Sequence, residues 1–174
     1  MKKLIFILIV SIIYSACTSR TAGIQMENKD SSSVALPYTA AYSSKFSVGK
    51  DSNSLMVLNN YKAWEDGDMN AFKNTLSDSF TIYFADGGKF SGTRDSAMIL
   101  ASAFRDSISK VELKIDAWVP LHSEDRNEDW VSVWYKEIDT YKNGKIDSAY
   151  YQDDNMLDKN GKIVFTAIHK QVLK

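Results

Sequence analysis

The sequence predicts an α+β fold, with helices first and a mainly antiparallel sheet after them. Leu55, Leu58, Tyr61 and Trp64 recur at near-helical spacing. From about Val111 onward the apolar period switches to 2, the signature of strands. Lys-Asn-Gly-Lys stands at 142–145 and again at 159–162, each time between strand-like runs, and reads as a hairpin turn. Helices followed by long strands make the class α+β rather than alternating α/β.

The elements follow in order. Lys2 and Lys3 precede an apolar run from Leu4 to Tyr14 broken only by Ser11, which is a targeting segment too short to span a bilayer comfortably. Residues 18 to about 48 are rich in Ser, Thr, Ala and Lys and lack a sustained period, so they read as a tether with a root-mean-square reach of roughly 30 Å. The alternative is that Val34 to Phe46, with Tyr38 and Tyr42, packs on the domain as an arm. The first helix begins near Ser54 and ends at Gly67 in a left-handed cap, and Asp68 caps a second short helix through Met69, Phe72 and Leu76. Phe80 to Phe84 is a strand, and Asp86-Gly87-Gly88 turns the chain. A third helix starts near Thr93 with Ala97, Leu100, Phe104 and Ile108 on one side. Strands then run near 111–119, 130–141, 145–157 and 163–173.

Composition narrows the function classes. With 21 basic against 22 acidic residues, the chain lacks the footprint that nucleic acid demands. Cys17 is the only cysteine, so no internal disulfide forms. Tyr14-Ser15-Ala16-Cys17 resembles the bacterial lipobox, which implies cleavage after residue 16 and lipidation of Cys17. The acyl chains so implied hold a protein firmly at a membrane. Thr18, rather than Asp, after the cysteine leans towards the outer membrane. The expected organisation is signal peptide 1–16, lipidated Cys17 and tether 17–48, and one domain at 49–174.

The order of helix, Trp64-Glu65-Asp66-Gly67-Asp68, second helix, aromatic strand, Gly92 opening the third helix, and four strands closing at Asn160-Gly161-Lys162-Ile163 resembles the SnoaL-like, nuclear transport factor 2-like proteins. That resemblance implies helices packed in a strongly curved, mainly antiparallel sheet, a cone with a pocket at its open end. The fold serves isomerases, cyclases, binding proteins and dimerisation modules, so it does not settle function. In the ketosteroid isomerase branch, an Asp eight positions before the final turn glycine stays protonated and donates a hydrogen bond to an oxyanion, and Asp153 holds that place. The branch's helix tyrosine falls at Asn60, with Tyr61 one residue out of register, and its base carboxylate falls at Tyr83 and Phe84. One of three positions agrees, and a proton-shuttling isomerase of that type lacks its base.

Strand parity suggests what stands beside Asp153. A two-residue turn at Asn160-Gly161 sets Lys159 opposite Lys162, whereas a three-residue loop with Gly161 left-handed sets Asp158 there. The second choice places Tyr151, Asp153 and His169 on one face as an acid, base and hydrogen-bonding trio. The plain alternative is that Tyr151 and His169 form an exposed pair. Trp134, Tyr83, Trp64, Tyr61, Phe104 and Trp118 are candidates to line an apolar pocket, with core or dimer interface as the alternative. Trp134 stays near Asp153 or Gln152 in either register. His122 reads as a solvated loop residue; with His169 it lacks metal-ligand spacing, and no glycine pair matches a phosphate loop, so no metal and no cofactor are expected. The leading expectation is a lipid-anchored module binding a small apolar ligand or a protein partner. An isomerase, cyclase or hydrolase using Asp153 with Tyr151 or His169 is the alternative, and a homodimer through the outer sheet face is a third reading.

Overall fold

The computed structural model describes residues 35–171. The expected signal peptide, Cys17 and the first part of the expected tether lie outside the described residues, as do residues 172–174. The described elements are β1 (Phe46–Val48), α1 (Asp51–Asp66), α2 (Met69–Thr75), β2 (Leu76–Tyr83), β3 (Lys89–Thr93), α3 (Arg94–Arg105), β4 (Ile108–Ser123), β5 (Glu128–Tyr141), β6 (Ile146–Leu157) and β7 (Ile163–Gln171).

Local chemistry sets the helix boundaries. Gly67 closes α1 at φ 73°, and its neighbour Asp68 accepts a hydrogen bond from the Ala71 N–H to start α2. Thr93 caps α3 by accepting from the Ser96 N–H. The expected face of α3 needs correction: Ala97 and Met98 are buried, whereas Leu100 and Phe104 are more than half exposed and Ile108 belongs to β4. Gly92 opens no helix; it lies in β3, a strand that the sequence reading passed over.

The sheet has strand order β1-β4-β5-β6-β7-β2-β3, antiparallel except where β2 runs beside β7. Bulges break register in β4, between β2 and β7, and between β6 and β7, and each bends its strand. The helices cover one face, where Val57, Leu76, Phe80, Met98, Val131, Val133, Leu157 and Ile163 form the core with Tyr61 and Tyr135.

Residues 42–48, on the tether side of the expected boundary, lie along the sheet; of the arm in the alternative reading Tyr42 packs, whereas Tyr38 is exposed. β1 pairs with residues 121–123 of β4, and the Glu124 N–H donates to the Lys45 carbonyl. Tyr42 packs edge-on against Trp130, hydrogen-bonds Glu128 and carries the Arg126 guanidinium over its ring.

Candidate functional site

The helix-covered face of β5 carries Val131, Val133, Tyr135, Glu137 and Asp139 at alternate positions, and β6 sets Tyr151 opposite Tyr135 and Asp153 opposite Val133. α1 lies over them. The Tyr61 hydroxyl donates to Asp153 Oδ2 at 2.7 Å, and the Tyr135 hydroxyl donates to the same oxygen at 2.9 Å. The two tyrosine rings meet edge to face, and Tyr135 stacks on Tyr151. Asp153 is 5% exposed, and its other oxygen, Oδ1, is buried without a hydrogen-bond partner among the described residues.

Burial pushes the Asp153 carboxyl up to about 6, against the opposing pull of the two tyrosine hydroxyls. Tyr61 and Tyr135 are themselves held well above the ordinary phenol value, first by burial and then by the Asp153 charge. Further along β5, Glu137 is pushed up to about 7 by burial and by repulsion from Asp139, while the Trp64 indole N–H donating to it at 3.0 Å opposes the rise. Asp139 is raised by burial too, and its Oδ1 has no hydrogen-bond partner among the described residues. Three carboxylates and two tyrosines therefore share one strip of the sheet, and Tyr61 reaches it from α1.

The sequence-named residues divide between two faces. Asp153, Tyr151, Tyr61 and Trp64 come together on the helix side, with the half-exposed Phe104 ring stacked on Trp64. Tyr61, one residue out of register by counting, is the tyrosine that reaches Asp153, while Asn60 bonds Thr75. His169 is a correction. The turn is as expected, with Asp158 opposite Lys162 and Gly161 at φ 72°, but Val164 then bulges. The bulge shifts the register by one, so His169 faces Gln152 and turns outward, and the Tyr151, Asp153 and His169 trio dissolves. Trp134 pairs with Gln152 on the outer face and does not line the helix side. Tyr83 is likewise outward, packed edge-on against Phe165. Trp118 shares the register row of Val133 but is half exposed. Trp134, Tyr151 and His169 do border one outer depression of about 440 Å³. The sequence reading missed Glu137 and Asp139, although their period with Tyr135 was available to reveal them.

No known family model matches the chain, and no curated protein is similar to it by sequence. Solved structures are similar in fold. A nuclear transport factor 2-like protein of unknown function from Exiguobacterium sp. 255-15 superposes with TM-score 0.57 at 15% identity, over 68% of this chain and 99% of its own. A putative polyketide cyclase from Xanthomonas campestris pv. campestris gives 0.55 at 16%, over 70% and 91%. An epoxide hydrolase from M. tuberculosis gives 0.58 at 12%, over 70% and 84%. The fold is thus the nuclear transport factor 2-like cone, reached at identities that carry no activity with them.

Proposed function

We propose that this chain is an envelope protein, anchored through a lipidated Cys17, whose cone binds a small, mainly apolar ligand with one hydrogen-bonding group set against Asp153. The observation that carries this reading is the buried, unpartnered Oδ1 of Asp153 among apolar and aromatic side chains. A buried polar atom without a partner is costly, and a ligand's hydroxyl, amide or carbonyl supplies the missing bond. Binding is favoured over catalysis because Oδ2 is already engaged by two tyrosines and the nearest histidine on β7 lies on the other face.

The test is native mass spectrometry of the chain extracted gently from membranes, followed by tryptophan fluorescence with a panel of ring-containing alcohols, ketones and fatty amides. A retained mass, lost in Asp153→Asn, supports the reading. No retained mass and no fluorescence change across the panel overturns it. The second reading, an isomerase, cyclase or hydrolase, rests on Glu137, whose elevated value suits a general acid or base near neutral pH. It requires turnover of the bound compound that Glu137→Gln abolishes.

A further inference from the structure

A second group of residues stands at the opposite end of the helix-covered face, independent of the Asp153 strip. Ser47 of β1 is directly opposite His122 of β4, and His122 is directly opposite Asp129 of β5. Directly opposed residues on antiparallel strands project to the same face with Cβ atoms about 4.5–5.5 Å apart. Serine, histidine and aspartate thus form one row across three neighbouring strands. His122 Nδ1 lies 2.8 Å from Asp129 Oδ1. A carboxylate accepts, so Nδ1 carries the proton and Nε2 is left as the basic nitrogen. All three residues line one depression of about 460 Å³, with Lys50, Lys159 and Asp158 also on its wall, the Asp158 carboxylate being engaged by the Ser77 hydroxyl and the Asn160 and Lys162 N–H groups.

The backbone holds this row in place. The Gly49 N–H donates to the Pro120 carbonyl, and a side chain at Gly49 would meet the Leu121 backbone at 3.0 Å. Only glycine lets the chain pass that close to β4, two residues after Ser47. On the far side of Asp129 stands buried Leu157.

We infer that Ser47, His122 and Asp129 are a nucleophile, base and orienting carboxylate for hydrolysis of a small carboxylic ester carrying an anionic group. The roles follow from chemistry and order across the strands, not from sequence position. Ser47 Oγ bonds to the ester carbon as its proton passes to His122 Nε2, and the alcohol leaves with that proton as the C–O bond breaks. Water then attacks the acyl carbon, giving its proton to His122, and Ser47 Oγ departs and recovers it as the acid is released. Lys50 and Lys159 favour an anionic substituent.

The experiment treats the full chain with a fluorophosphonate, maps the adduct by mass spectrometry, and follows hydrolysis of 4-nitrophenyl hemisuccinate against 4-nitrophenyl acetate. The expected adduct is on Ser47. Ser47→Ala, a change at an exposed position, should bring hydrolysis to the buffer rate. His122→Gln should slow both labelling and hydrolysis by about 10²-fold or more. Lys50→Gln with Lys159→Gln should erase the preference for the anionic ester. An adduct elsewhere, hydrolysis that survives Ser47→Ala, or Ser47 labelling indifferent to His122→Gln would overturn the assignment. A purely structural His122–Asp129 pair gives the last of these. Ligand retention at Asp153 does not depend on any of them, so the two proposals fail separately.

Discussion

Asp153 shows how one side chain couples stability to pH. Its carboxyl titrates at about 6 in the fold against an ordinary value near 4, so the folded state holds a proton that the unfolded chain has lost. Stability from this group is fully present below about pH 4 and is lost as pH rises through about 6, a change of order 3 kcal/mol. Glu137 adds a loss of the same sign between its ordinary value of 4.5 and about 7. The melting temperature should therefore fall between about pH 4 and pH 7 and level off above it, and Asp153→Asn with Glu137→Gln should flatten that fall; an unchanged slope in scanning calorimetry would contradict the assignment. Tyr61→Phe removes a hydrogen bond that favours the charged form, so the Asp153 carboxyl should titrate higher still, read by carbon NMR of that group.

At the scale of elements, the β6–β7 hairpin shows what a sequence can and cannot announce. Asn160-Gly161 states its turn type, because only a few residues accept positive φ, and the structure has that turn with Asp158 opposite Lys162. Gly161 sits in open space at φ 72°, so Gly161→Ala should cost about 1 kcal/mol through backbone strain alone, measured by chemical denaturation. The bulge at Val164 carries no such mark, since valine fits a bulge and a regular strand alike, and one residue of slip sends His169 to the outer face. The α1 phase was equally out of reach by counting, because a one-residue error turns a helix by about 100° and exchanges Asn60 for Tyr61. Glu137 and Asp139 were legible by parity with Val133 and Tyr135; their charge hid them, because buried carboxylates are rare. β3 was hidden by Gly92 and by the turn residues before it. Tyr42 adds an aromatic anchor to the backbone pairing that holds the arm, so Tyr42→Ala should loosen residues 42–48 and cost about 1 kcal/mol from the lost Trp130 contact, with faster amide exchange confined to β1 and its β4 partners.

For the whole molecule, the arm and the proposed anchor limit each other. Tyr42 is fixed to β5 through Trp130 and Glu128, so a link from Cys17 to the sheet has roughly 25 residues, not the 30 expected for a tether ending near 48. A coil of that length would reach roughly 28 Å. Among the described residues no helix is long and apolar enough to cross a membrane. Membrane attachment on this reading runs through the thioether lipid at Cys17. Cys17→Ser should move the protein wholly from the detergent-soluble membrane fraction to the aqueous fraction, and the wild-type N-terminal peptide should carry the mass of acyl chains on residue 17. Retention of the serine variant in membranes, or a wild-type peptide without added mass, would remove the anchor from the proposal while leaving the cone and both of its sites as they stand.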